Sequence, residues 1–185
     1  MTPPSLVLGI DPGTAVTGYG VVASDGRTTT LVECGVLRTN AKASLASRLF
    51  DIHEGVRELI TRHQPDTLSI EDVFYARNVR TTVVLGHARG VILLAGQQSG
   101  LAIHEYTPTA IKKAITGRGA ATKEQVQYMV ARLLRLKHAP EPADASDGVA
   151  AALCACLAFE PPVARAPVPG TGHSPTILSS KAFRR

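Results

Sequence analysis

The chain has 185 residues, of which 44% are hydrophobic and 19% charged, with a net charge of +5. That length and balance fit one soluble globular domain able to bury a core, and the absence of a run of about 18 apolar residues excludes a membrane span. The start, Met1-Thr2-Pro3-Pro4-Ser5, lacks the basic and apolar regions of a signal peptide, and Cys34, Cys154 and Cys156 have no framework spacing; they read as reduced thiols of a cytoplasmic protein.

In chain order, Leu6–Asp11 is an almost unbroken apolar run, the pattern of a central strand buried on both faces. Pro12-Gly13-Thr14 turns the chain. Tyr19–Ala23 and Thr29–Leu37 read as strands joined by the turn Ser24-Asp25-Gly26. Leu45, Leu49, Ile52, Val56, Leu59 and Ile60 recur at helical spacing behind the N-cap Ser44. A strand ends at Glu71, and Thr81–Gln98 reads as a helix whose Gly86, Gly90 and Gly96 allow close packing. Ala102–Tyr106 is a fifth strand. Pro108 opens a short helix through Ile115, Thr122 and Gln125 form a capping box for a helix to about Leu136, and a last helix begins near Asp144. The expected fold is therefore mixed α/β, with a five-stranded sheet flanked by helices, over residues 1–160. Residues 161–185 are punctuated by Pro161, Pro162, Pro167, Pro169 and Pro175, carry few large apolar residues, and read as a disordered basic tail.

Four acids stand out against this framework. Asp11 and Glu71 each end an apolar strand, while Asp144 and Asp147 share one face at the start of the last helix. If the two strands are neighbours, their acids project into one crevice at the carboxyl edge of the sheet. N-capping accounts for Asp144, and a favourable first-turn charge for Asp147, but neither explains Asp11 or Glu71. No Lys or Arg adjoins the four in sequence, and like charges so gathered call for a cation. Hard divalent ions such as Mg²⁺ take oxygen ligands of this kind. Two ions about 4 Å apart would serve in-line attack on a phosphodiester, one activating water and the other stabilising the leaving oxygen. Cys154 and Cys156, two apart on a helix, diverge and make no metal pair.

The positive charge is concentrated. Ten Lys and Arg residues lie between Arg77 and Lys137, opposed by Glu105 and Glu124 alone, which points to a polyanionic partner. Phe74, Tyr75, Arg77, Asn78 and Arg80 follow Glu71 in one expected loop, a mixture suited to unstacked bases and phosphates. Arg118, flanked by glycines, lies in a segment suited to ordering on DNA. The helix after this loop has more apolar residues (Val83, Val84, Leu85, Val91, Ile92, Leu93) than one core stripe needs, as expected of a subunit interface.

Gly9-Ile10-Asp11-Pro12-Gly13-Thr14 and Thr17-Gly18-Tyr19-Gly20 resemble the opening of the RuvC family of Holliday junction resolvases. Ile70-Glu71-Asp72-Val73-Phe74, Leu85-Gly86-His87-Ala88-Arg89-Gly90 and Ala143-Asp144-Ala145-Ser146-Asp147 extend the resemblance, in order, over about residues 5–158. It implies an RNase H-like fold and a homodimeric endonuclease that cuts two opposed strands of a four-way DNA junction with Mg²⁺ or Mn²⁺. It maps the family's metal-binding acids onto Asp11, Glu71, Asp144 and Asp147, a base contact onto Phe74, and DNA-backbone lysines onto Lys112 and Lys123. It also implies work beside a branch-migration motor, RuvA and RuvB. Some members carry His in place of Asp144, and many carry Gln in place of Asp72. His87 and Arg89 match family residues and are assigned to packing or to the dimer. A sugar-kinase or actin-like ATPase would need two related domains, which this chain lacks. A purely junction-binding protein has no use for four acids facing a polyanion, and the motifs favour the resolvase over a nuclease of structured RNA.

Overall fold

Val7, Leu8 and Ile10 of β1 (Ser5–Asp11) are all buried, and they divide between the two faces of the strand, which is why its sequence is apolar throughout. In the computed structural model, which describes residues 4–72 and 79–158, β1 is the middle strand of a five-stranded sheet of order β3-β2-β1-β4-β5. β2 (Val16–Ser24) and β3 (Thr29–Arg38) continue the sheet antiparallel on one side. β4 (Thr67–Glu71) and β5 (Ala102–Tyr106) continue it parallel on the other. Parallel neighbours require crossovers, which α1 (Leu45–His63) and α2 (Val79–Gln98) provide on one face of the sheet. α3 (Pro108–Thr116), α4 (Lys123–Leu133) and α5 (Ala143–Ala158) cover the other face.

The caps expected at Ser44 and Thr122 form, and Thr107 adds one that the sequence did not single out. Ser44 accepts from the Ser47 backbone, Thr107 caps α3 with Pro108 behind it, and Thr122 with Gln125 makes the reciprocal capping box. Four expectations need correction. β2 begins at Val16, because Thr17 and Gly18 pair with Leu37 and Val36. α2 begins at Val79, so Arg80 lies in its first turn and not in a loop. α4 stops at Leu133, since Arg135 takes a left-handed φ of 54° that ends the helix. Of the α2 glycines, Gly96 alone packs closely, against Leu68; a Cβ on Gly86 or Gly90 would meet open space. The tail expected over 161–185 lies outside the described residues.

The position of α5 decides the rest. Its residues Ala145 to Ala155 are buried almost without interruption, because the sheet lies on one side and α3 and α4 on another. The helix lies backbone-on-backbone over β1 and β2. A Cβ on Gly148 would stand 2.5 Å from Tyr19 Cα, and one on Gly20 would stand 2.6 Å from Val149 Cα. On Gly9 it would collide with the Ala152 backbone, and on Gly18 with that of Asp144. The Ser69 hydroxyl donates to the Ala151 carbonyl at 2.6 Å, tying β4 to the same helix. Overpacking of this kind costs about 1–3 kcal/mol where neighbours can shift, and backbone cannot. Gly9→Ala is therefore expected to lower unfolding stability by at least about 1–3 kcal/mol in denaturant titration. A variant as stable as its parent would show that α5 does not lie this close.

Candidate metal and nucleic-acid site

β1 and β4 run parallel with Ile10 opposite Ile70, so the next residue of each strand, Asp11 and Glu71, emerges at the same edge. Strand alternation turns both acids away from the side taken by Ile10 and Ile70, which pack toward α1 and α2, and so toward α5. The first turn of α5 brings Asp144 and Asp147 to meet them. One carboxylate oxygen from each of Asp11, Asp144 and Asp147 can be chosen so that all three lie within 4.8 Å of one another. Glu71 stands outside this compact set but close enough to raise the pKa of Asp11 by repulsion. The sequence expectation of four acids at one edge thus resolves into a triad with a flanking fourth.

Burial pushes Asp11 up to about 7, helped by repulsion from Glu71, Asp147 and Asp144, with Lys123 opposing. Burial also pushes Glu71 up to about 7, with Asp147 adding to the rise and Lys112 and Lys123 opposing it. The donor set is all oxygen, partly exposed and strongly repulsive, which fits a hard divalent cation such as Mg²⁺ or Mn²⁺.

The sequence shows no cation beside these acids, but the fold supplies one. The Lys123 ammonium donates to Asp147 Oδ2 at 2.6 Å. That bond, with the charges of Asp147, Asp144 and Asp11, holds the ammonium above the usual lysine range. The partnership joins residues 24 apart, beyond the reach of local sequence rules, although the sequence carries one signal of it. Lys123 is the first residue of α4, where the helix dipole disfavours a cation, and a lysine placed there has a reason outside its helix. Lys112 of α3 completes the basic flank, near enough to lower the pKa of Glu71.

The remaining expected contacts are dispersed. Arg80 is exposed in the first turn of α2. Arg118 follows α3 and lines an open groove of about 420 Å³ with Thr116, Glu124, Tyr128 and Met129, apart from the acids. Phe74, Tyr75, Arg77 and Asn78 lie outside the described residues. Arg89, left outside the site from sequence and given to packing or the dimer, pairs with Asp72 and Glu105 at the ends of β4 and β5.

A five-stranded sheet of this order, with an acid at the end of its central strand and more on the helix packed across it, defines an RNase H-like fold of the nuclease class. The family model described as "Crossover junction endodeoxyribonuclease RuvC" matches residues 7–155, and the chain belongs to that family. A relative of that name from Halorhodospira halophila is 53% identical over 148 residues, covering 80% of this chain and 87% of its own. Another from Pelotomaculum thermopropionicum is 46% identical over 149 residues, covering 80% and 91%. Among solved structures, T. thermophilus RuvC in complex with a Holliday junction substrate superposes with a TM-score of 0.75 at 32% identity, covering 83% of this chain and 93% of that one.

The raised carboxylates set a pH dependence. Asp11 and Glu71 keep protons in the folded, metal-free protein up to about pH 7, whereas the unfolded chain releases them near about pH 4. The folded state therefore binds more protons between those values, and stability falls as pH rises through that window, levelling off above it. In chelator, the melting temperature is expected to be lower at about pH 8 than at about pH 5, with a smaller drop for Asp11→Asn. Equal drops in the two proteins would refute the assignment of the shift to Asp11.

Proposed function

We infer that this member of the crossover junction endodeoxyribonuclease family cuts four-way DNA junctions by metal-dependent phosphodiester hydrolysis, during recombination and repair, with Asp11, Glu71, Asp144 and Asp147 as the metal-binding and catalytic acids. The observation that carries the assignment of the acids is their placement. Asp11, Asp144 and Asp147 converge within 4.8 Å beside Glu71, and Lys112 and Lys123 flank them.

Each residue then has a task. The four carboxylates hold two divalent ions, Mg²⁺ with Mn²⁺ able to substitute, and the bound ions supply Lewis acidity and lower the pKa of water. Asp11 and Glu71 give up their protons on loading. Lys112 and Lys123 hold the backbone phosphate at the acids, where bare carboxylates would repel it. Phe74 and Tyr75 stack on bases opened at the junction, and Arg77, Asn78, Arg80 and Arg118 hold flanking phosphates.

Two opposed nicks call for two sites. α2 presents Val79, Val83 and Leu94 to solvent, at 78%, 52% and 50% exposure, with Gly86 and Gly90 flush between them. A second copy docked on this face gives a homodimer whose two-fold symmetry matches that of the junction. The chain then works in the cytoplasm, beside the branch-migration motor RuvA and RuvB, with residues 1–160 as the nuclease domain and the Pro-rich 161–185 outside it. Two features agree with a cytoplasmic enzyme. Its cysteines are free, and no described helix is long and apolar enough to cross a membrane.

The deciding assay incubates the protein with a labelled synthetic four-way junction or the matching linear duplex, in Mg²⁺, Mn²⁺ or chelator. Paired, metal-dependent nicks in the junction alone are expected. Glu71→Gln should abolish them while junction binding in a gel shift persists; equal loss of both would defeat the assignment. Lys123→Met, which removes the cation already resting on Asp147, should bind Mn²⁺ more tightly by electron paramagnetic resonance yet cut more slowly. Unchanged Mn²⁺ affinity would show that lysine and metal do not compete for this carboxylate.

A further inference from the structure

Glu71 is the last residue of β4, and a strand end is free to splay unless something closes it. Here the next residue is held twice. The Asp72 backbone N–H donates to the Tyr106 carbonyl at 2.8 Å, one step beyond the last β4–β5 pair. Its carboxylate lies 3.4 Å from Arg89 Nη2, and the same nitrogen pairs with Glu105 of β5. One guanidinium from α2 thus spans the ends of two adjacent strands, immediately behind the acid of interest.

The geometry of the faces explains why this matters. Leu68 and Ile70 of β4, with Ile103 of β5, pack toward α1 and α2. Ser69 bonds α5 on the opposite face, and by alternation Glu71 follows Ser69 while Asp72 turns back toward α2. Arg89 therefore grips the strand from the face opposite the acids. Its own helix is anchored by Ala88 and Ile92, both fully buried, so the grip cannot drift. The Arg89 side chain is 20% exposed, and its Nε is buried with no hydrogen-bond partner among the described residues. A donor left dry is costly, so the side chain is placed by the two acids it reaches and not by a best fit to the core. Asp72 adds a charge beside Glu71, and Arg89 pairs with it.

We propose that Arg89 is a positioning residue, whose bridge from α2 to Asp72 and Glu105 fixes the exit of β4 and so aims Glu71 at Asp11 and Asp147. This rests on the reading of Glu71 as a metal-binding acid. Arg89 touches neither substrate nor metal; it acts through Glu71.

The test measures single-turnover cleavage of a four-way junction against Mg²⁺ concentration, together with junction affinity and melting temperature, for the full chain carrying Arg89→Lys or Asp72→Asn. Lysine keeps the charge but cannot span both acids with a planar fork. Small misplacements of a catalytic group lower rate steeply, so each variant should cut slower by roughly tenfold or more and need several-fold more Mg²⁺ for half its maximal rate. Junction affinity should change by less than about twofold, since no phosphate contact is removed. The double variant should be no slower than the worse single one, because both break the same bridge. If Arg89→Lys proves unstable, Asp72→Asn, at a more exposed position, carries the test alone. Variants that melt near the wild type and show its Mg²⁺ dependence overturn the proposal while leaving the nuclease reading intact. Rate and junction affinity falling together also overturn it, as does slowing that follows loss of folded protein alone. A wild-type protein that cuts no junction in Mg²⁺ or Mn²⁺ overturns both.

Discussion

Two backbones in contact, with no side chains between them, constrain this molecule more than any single bond. α5 crosses β1 and β2 where Gly9, Gly18 and Gly20 leave the strands bare and Gly148 leaves the helix bare. A helix seated this deeply is buried nearly all round, and it cannot slide or lift without exposing the alanines that fill the gap. Its first turn is therefore fixed relative to the end of β1, and Asp144 and Asp147 stay beside Asp11 although all three would separate if free. Packing supplies the force that electrostatics opposes.

That opposition is where the chemistry resides. Asp11 and Glu71 are driven up to about 7, chiefly by burial, so near neutrality the empty site is divided between protonated and ionised forms. In the proposed reading a divalent cation would bind the ionised form and displace those protons, which would couple metal affinity to pH. Lys123 is already there on a smaller scale. A cation in the first turn of a helix is disfavoured by roughly 0.3–1 kcal/mol, and the bond to Asp147 offsets that. In the proposed reading, where Asp147 also ligates metal, a lysine resting on that carboxylate would be placed to turn toward phosphate.

Much of this was legible from residues alone, for identifiable reasons. Asp11 and Glu71 could be read because each terminates an apolar strand; that the two strands are neighbours is a fact of the sheet. The caps at Ser44 and Thr122 and the helix opening at Pro108 were local, and local rules found them. Contacts across long separations were not legible. Lys123 meets Asp147, and Arg89 meets Asp72 and Glu105, only through the packing of α4 and α2. Which strand residues α5 meets, Gly9, Gly18 and Gly20, needed the fold. The apolar surplus of α2 was visible as composition; which residues carry it, Val79, Val83 and Leu94 with Gly86 and Gly90 between, needed the helix to be oriented.

α2 then has two sides with different work. Its inner side carries Ala88, Ile92 and Ala95 into the core and Arg89 onto the strand ends, while its outer side presents Val79, Val83 and Leu94 to solvent. Flush glycines at Gly86 and Gly90 let a second helix approach closely, as a stripe of large residues would not. In the proposed dimer the helix that forms the interface is thus the helix that grips β4 behind Glu71. Symmetric cutting requires two sites held at a fixed separation, and separation is fixed only if each site is rigid relative to the interface. A short bridge from the interface helix to the strand bearing the acid meets that requirement more directly than any route through the sheet.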